Sequence, residues 1–165
     1  AGTITLDDQI LVSADQTYDR RLGIHIQMVY QQPYATLDPA QKIGAGFIEL
    51  IRYHRFSPKG EELSLTKEML DKVGLAPQIL AHLPHQISGG EAQSVAIARC
   101  LLFQPNLLIL DVSTQANVLG MVRRQMRESG GSILLISHDE ALVKLLCDQI
   151  YVFDNKNSRQ KEKNQ

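Results

Sequence analysis

The chain has 165 residues, 44% of them hydrophobic, and a formal net charge of −1 at pH 7, which predicts one soluble globular domain. Aromatic residues make up only 5% and tryptophan is absent, so without a basic excess the composition disfavours nucleic-acid binding. No apolar run reaches membrane-spanning length and no signal segment opens the chain, so any membrane association is expected to come through a partner.

Two short strands are predicted before the first helix. Thr3–Leu6 alternates like a strand and is followed by turn residues at Asp7–Asp8. Ile24–Tyr30, IHIQMVY, predicts a second strand that delivers Gln31 at its end. From its residue type and position alone, Gln31 is only a loop residue.

Two helices are predicted next. Apolar residues recur at helical spacing over Ala40–Phe56 and again over Leu65–Val73. The intervening Ser57–Gly60 has the composition of a loop, and Gly74 is expected to end the second helix.

The most informative stretch is Ser88–Cys100, SGGEAQSVAIARC. Ser88 can cap a helix whose third residue is Glu91, which makes a capping box around Gly89 and Gly90. The two glycines leave room for another molecule to approach, and the N–H groups and dipole of a helix start suit a phosphate. The simpler alternative is a capped amphipathic helix without a ligand.

Two apolar strands follow, and each ends at a polar residue. Leu107–Leu110 is a continuous apolar run that reaches Asp111, a pattern typical of a parallel strand buried on both faces. Ile133–Ser137 has the same pattern and is followed by His138. Because open α/β sheets bind ligands at the carboxyl ends of their strands, Asp111 and His138 are candidate site residues. A helix-initiating turn at Ser137–Asp139 is compatible with this role of His138, and both can hold at the same time.

These segments together resemble the ATP-binding subunits of ABC transporters. The signature motif of that family, SGGQ-x-Q-R-V-A-I-A-R-A-L, matches at Ser88–Gly90, Gln93 and Val95–Arg99. Leu107–Asp111 is similar to the Walker B strand that follows the motif. The segment Ile26–Pro39, IQMVYQQPYATLDP, most resembles the subunits of dipeptide and oligopeptide importers.

The resemblance implies an α/β fold, namely a partial P-loop NTPase domain of the ABC type with a mostly parallel sheet and a helical subdomain. We expect this domain to occupy residues 1–153, with the helical subdomain at about 33–104 including the signature helix. Residues 154–165 carry no apolar side chain and are expected to form a disordered polar tail.

The resemblance also implies roles for the candidate residues and their ligands, ATP and Mg²⁺. The implied nucleotide-binding residues are Gln31, Ser88, Gly89, Gly90 and Glu91, the last in place of the family's usual Gln. Asp111 and Gln31 would bind the metal, and His138 would be the catalytic switch histidine that senses the terminal phosphate. The implied partners are transmembrane permease subunits and a second ATP-binding subunit, at the cytoplasmic face of the cell membrane, with no nucleic acid.

Two parts of the family pattern are missing from the sequence. A P-loop needs Gly-x-x-x-x-Gly-Lys-Ser/Thr, and no Gly in this chain is followed by Lys. The family has Glu directly after the Walker B Asp, whereas Asp111 runs straight into Val112, as if a short block were deleted. Loss of a general base costs about 10² to 10⁴ in rate. Asp111 could alternatively be the later Asp of the deleted loop, which would weaken its metal role.

A truncation at the front would also remove a central strand beside the Walker B strand. We therefore expect Leu107–Leu110 to have one unpaired side and the fold to be weakened and prone to associate. Three functions remain: an importer ATP-binding subunit, a truncated non-hydrolysing module that pairs with an intact subunit, and, least favoured, an ABC-like nucleic-acid repair protein. The first is the lineage that the motifs indicate, and the second is the expected condition of this chain.

Overall fold

The structure, a computed structural model, describes residues 3–6, 9–12, 23–111, 116–154 and 157–162. The first described elements are strands β1 (Ile4–Leu6) and β2 (Gln9–Val12), which pair antiparallel. The strand predicted at Thr3–Leu6 is therefore present, whereas the turn predicted at Asp7–Asp8 lies outside the described residues.

The central element is a parallel sheet of three strands in the order β3-β4-β5. Its strands are β3 (Ile26–Val29), β4 (Leu107–Asp111) and β5 (Ser132–Ile136). The expectation that Leu107–Leu110 has an unpaired side is wrong, because β4 is the middle strand and pairs with both neighbours. Within the described part of the chain, the open edges belong to β3 and β5.

The two faces of β4 are buried to different extents. Leu108 and Leu110 are fully buried, whereas Leu107 and Ile109 are only half-buried. Successive side chains of a strand point to opposite faces, so one face of the sheet carries the core and the other is partly open. The sequence predicted burial of both faces, but only the face that carries Leu108 and Leu110 is fully buried.

All the helices between β3 and β4 belong to one long connection. They are α1 (Ile43–His54), α2 (Glu62–Asp71) and α3 (Gly89–Leu101), with single 3₁₀ turns at Pro33–Thr36, Pro77–Ala81 and Pro84–Gln86. The chain leaves α2 through Gly74, whose φ of +72° is a conformation that favours glycine.

Helix α3 lies at the centre of the core. Side chains on every side of it are buried, including Val95, Ile97 and Leu101, and it packs against α2 and β3. The sequence pattern predicted an amphipathic helix with one buried face, but α3 is enclosed beyond its first turn. Its beginning, at Ser88–Glu91, is the part that stays exposed.

Helix α4 (Ala116–Glu128) connects β4 to β5. Helix α5 (Glu140–Leu146) follows β5, and the strands β6 (Gln149–Asp154) and β7 (Asn157–Glu162) come next. Strands β6 and β7 pair antiparallel. Of the tail expected to be disordered, the described residues Asp154 and Asn157–Glu162 lie in these strands, because main-chain hydrogen bonds can pair two strands whatever the polarity of their side chains. Among the described helices, none is long and apolar enough to cross a membrane.

Candidate functional site

The start of α3 is fixed by the capping box predicted from the sequence. The hydroxyl of Ser88 accepts the Glu91 backbone N–H at 3.3 Å and donates to Glu91 Oε2 at 2.7 Å. The backbone N–H of Ser88 donates to the same carboxylate oxygen at 2.8 Å. These bonds, that of the backbone N–H first, lower the pKa of Glu91, so the carboxylate is charged at neutral pH.

Gly89 and Gly90 form the exposed first turn of this helix. A Cβ at either position would meet nothing within 4 Å, and neither residue has a positive φ. Local packing and backbone strain therefore do not require glycine here. What glycine does provide is uncovered backbone N–H groups at the positive end of a helix, which is a favourable place for an anion.

A groove of about 770 Å³ joins the start of α3 to the segment that follows β3. Its volume falls within the range of small-molecule sites. It brings together the five residues expected to bind nucleotide, Gln31, Ser88, Gly89, Gly90 and Glu91. Apolar side chains from the turn after α2 and from α4 complete the lining, namely Val73, Leu75 and Val118.

Two hydrogen bonds tie the segment after Gln31 to the two ends of α3. The hydroxyl of Tyr34 donates to the carbonyl oxygen of Ile87, the residue before the cap, at 2.8 Å. Arg99 Nη1 donates to the carbonyl oxygen of Thr36 at 2.9 Å. The position of Gln31 is thus linked mechanically to that of the helix start. Sequence reasoning missed Tyr34, because the bond joins residues that lie far apart in the chain.

Two buried polar side chains lie in the wall of the groove. Gln93 is 6% exposed and Ser94 is 4% exposed, and both line the groove. The Gln93 side chain thus forms part of the surface of the groove. It is therefore available to a molecule that enters the groove. In the sequence, Gln93 stands out only as a position that matches the signature motif, and no local pattern indicates that its side chain faces a ligand.

Asp111 and His138 lie at the same edge of the sheet as Gln31 but not in the groove. Asp111 ends β4, half-buried, and His138 follows β5, exposed. Three neighbouring parallel strands thus present Gln31, Asp111 and His138 at their carboxyl ends. The segment at His138 also starts a helix, since the Asp139 side chain accepts the Leu142 N–H at 3.0 Å.

The residues present fit part of what Mg²⁺-ATP requires. The helix start supplies N–H donors for phosphate oxygens, and Asp111 with Gln31 supplies the oxygen ligands that Mg²⁺ prefers. None of the described residues that line the groove is Lys, Arg or His. In the described ranges no three His, Cys, Asp or Glu side chains gather into a metal-binding group. The described lining of the groove thus supplies backbone N–H donors for phosphate oxygens but no cationic side chain.

A family model described as ABC transporter matches residues 1–115. The chain belongs to the ABC transporter family. This confirms the resemblance seen in the signature helix and the strand after it.

Curated relatives in the ABC transporter family carry peptide-transport names. The oligopeptide transport ATP-binding protein OppF of Escherichia coli (strain K12) is 40% identical over 141 residues, which cover 81% of this chain and 42% of OppF. The di/tripeptide transport ATP-binding protein DppF of Pseudomonas aeruginosa (strain UCBPP-PA14) is 33% identical over 159 residues, covering 92% of this chain and 49% of DppF. The chain spans less than half the length of these two relatives.

Solved structures confirm the fold. CbiO1 from Clostridium perfringens, part of the ABC transporter complex cbiONQ, superposes with a TM-score of 0.74 at 23% identity and covers 99% of this chain and 63% of that one. A dimeric post-hydrolysis state of the ATP-binding cassette MJ0796, bound to ADP and Pi, gives a TM-score of 0.80 at 21% identity and covers 100% and 75% of the two chains. The α/β fold expected for a partial ABC-type domain is therefore the observed fold.

Proposed function

We propose that the chain acts as an ATP-binding subunit of a peptide importer, in which the start of α3 closes over a nucleotide held by a second ATP-binding subunit. The observation that carries the proposal is the shared groove, in which the open N–H groups of Gly89 and Gly90 lie beside Gln31. The names of OppF and DppF support oligopeptides or dipeptides as the transported class.

Each residue of the site has a distinct task in this proposal. The N–H groups of Gly89 and Gly90 bind the terminal phosphate, and the Ser88–Glu91 capping box keeps these groups pointing outwards. Asp111 and Gln31 would hold Mg²⁺, whose charge stabilises the phosphate oxygens. His138, at the end of β5, would hydrogen-bond the terminal phosphate.

The two hydrogen bonds that join the Gln31 segment to α3 support a role in coupling the nucleotide site to the permease subunits. The Tyr34 and Arg99 bonds hold the Gln31 segment against α3, so a displacement of Gln31 is passed to the helix start. We propose that transmembrane permease subunits use this link and hold the protein at the cytoplasmic face of the membrane.

The alternative is a non-hydrolysing module that pairs with an intact subunit. It is favoured by the groove lining, which offers a phosphate backbone N–H groups without a Lys or Arg side chain in the described residues. The two functions differ in one measurable quantity, the release of phosphate by the assembled pair.

The test is nucleotide-dependent pairing with an intact ATP-binding subunit of an oligopeptide importer, measured by sedimentation velocity. We expect a complex with Mg²⁺-ATP and none without nucleotide. Gly90→Asp should abolish the complex, because the new carboxylate repels the phosphate. The helix itself should not be weakened, because an acidic side chain is favourable in the first turn of a helix. Gly90→Asn is the matched control of nearly equal size without the charge, and the space around Gly90 accommodates either side chain.

Equal pairing by Gly90→Asp and the wild type would refute the proposed phosphate contact. A complex that releases phosphate faster than the intact subunit alone supports the importer subunit. A complex that forms without added phosphate release supports the non-hydrolysing module.

A further inference from the structure

Glu91 is the one charged side chain among the described residues that line the groove at the start of α3. The other polar members of this lining are amides and hydroxyls, including the buried side chains of Gln93 and Ser94. A carboxylate in a groove proposed to hold a phosphate opposes that ligand, because like charges repel at contact distance. The position and the charge of Glu91 therefore bear on how tightly the helix start holds an anion.

The Glu91 carboxylate accepts the two donors of Ser88 that a phosphate oxygen would use. Its Oε2 atom accepts the Ser88 backbone N–H at 2.8 Å and the Ser88 hydroxyl at 2.7 Å. A hydroxyl has a single proton, so Ser88 cannot donate it to Glu91 and to a phosphate at the same time. The Ser88 N–H, and then its hydroxyl, hold the pKa of Glu91 below its usual value, so the competing group is negatively charged at neutral pH.

We propose that Glu91 is a built-in competitor for phosphate at the start of α3, and that it lowers the affinity of this site for the nucleotide held by a second subunit. The inference rests on the proposed function for the identity of the ligand, and it adds the side chain that regulates the same site. A phosphate meets the N–H groups of Gly89 and Gly90, while the donors of Ser88 stay with Glu91 until the carboxylate is displaced. A loosely held phosphate lets the paired subunits separate readily.

Glu91→Gln separates the charge from the helix cap. A Gln at the third helical position also completes a capping box, so the Ser88 N–H keeps an acceptor while the negative charge is removed. We expect Glu91→Gln to bind pyrophosphate about fivefold more tightly or more, the factor that corresponds to the repulsion of two unit charges about 4 Å apart in water. The chemical shifts of the Gly89 and Gly90 amides of the full chain, followed by NMR during a pyrophosphate titration, measure the dissociation constant.

Glu128→Gln is the matched control. Glu128 ends α4, pairs with Arg124 at 3.0 Å and does not line the groove, so its loss should leave the affinity for pyrophosphate unchanged. The direction of the effect separates competition from a merely structural role, because weakening of the helix start would lower the affinity. Equal or weaker binding by Glu91→Gln than by the wild type, or no amide shift in either protein, overturns the proposal.

Pairing with an intact ATP-binding subunit in Mg²⁺-ATP separates this inference from the proposed function. We expect the Glu91→Gln complex to form at lower protein concentration than the wild-type complex and to dissociate more slowly. If neither protein pairs but Glu91→Gln still binds pyrophosphate more tightly, the importer pairing fails and the competition by Glu91 stands. If both proteins pair equally well and bind pyrophosphate equally, the competition fails and the importer pairing stands.

Discussion

Tyr34→Phe removes one hydroxyl and tests whether the bond to Ile87 holds the Gln31 segment against α3. The carbonyl of Ile87 accepts this hydroxyl at 2.8 Å, and Ile87 is 7% exposed, so its acceptor loses a partner in a largely buried place. A typical hydrogen bond contributes about 0.5–1.5 kcal/mol. Tyr34 is itself 43% exposed, so water can partly replace it, and we expect the lower half of that range.

The expected loss of about 0.5–1 kcal/mol corresponds to a fall in Tm of about 2 °C for a chain of this length. Urea unfolding and calorimetry measure it, with Tyr53→Phe as the control because Tyr53 is 82% exposed and its contact is with the His54 ring. Amide hydrogen exchange should also quicken at Ala35 and Leu37. Equal stability of the two variants, with unchanged exchange, would refute the role given to Tyr34.

Three further changes test the helices and the core. Ser88→Ala should lower the free energy of unfolding in urea by about 1 kcal/mol through loss of the cap, whereas Ser88→Thr, which keeps the hydroxyl, should retain it. Gly44→Ala should lower the free energy of unfolding in urea by about 1–2 kcal/mol, because its Cβ would lie 2.9 Å from the backbone oxygen of Leu80. Gly46→Ala should not lower it, because its Cβ would face only the flexible side chain of Gln41. Burial raises the pKa of Cys100 to about 11, so its alkylation at pH 8 should be roughly a hundredfold slower than in the urea-unfolded chain and should accelerate up to pH 11.

The local parts of the fold were predictable because their signals lie within a few residues. The capping box of Ser88 and Glu91 uses residues three apart, and the structure has both of its bonds. Apolar runs predicted β4 and β5, and helical spacing predicted α1 and α2 with boundaries shifted by a few residues. The groove also brings Gln31 together with the signature residues, whose role in binding nucleotide stays a prediction.

Features that depend on distant parts of the chain were not predictable. The order β3-β4-β5 is set by the packing of long connections, so among the described strands β4 is the middle strand and β3 and β5 are the edges. The Tyr34–Ile87 bond spans 53 positions and the Arg99–Thr36 bond spans 63, beyond any local pattern. The strand β7 was missed because composition predicts side-chain burial better than main-chain pairing.

The register of β3 against β4 has a consequence for the order of folding. Ile26 pairs with Leu107, whereas Leu107 pairs with Ser132, so the first contact closes a much longer loop than the second. Closing the longer loop costs about 1 kcal/mol more in chain entropy. Pairing of β4 with β5 is therefore expected to precede the docking of β3, unless α1–α3 assemble first and shorten the gap. In pulsed hydrogen exchange during refolding, the amides of β5 should become protected before those of β3.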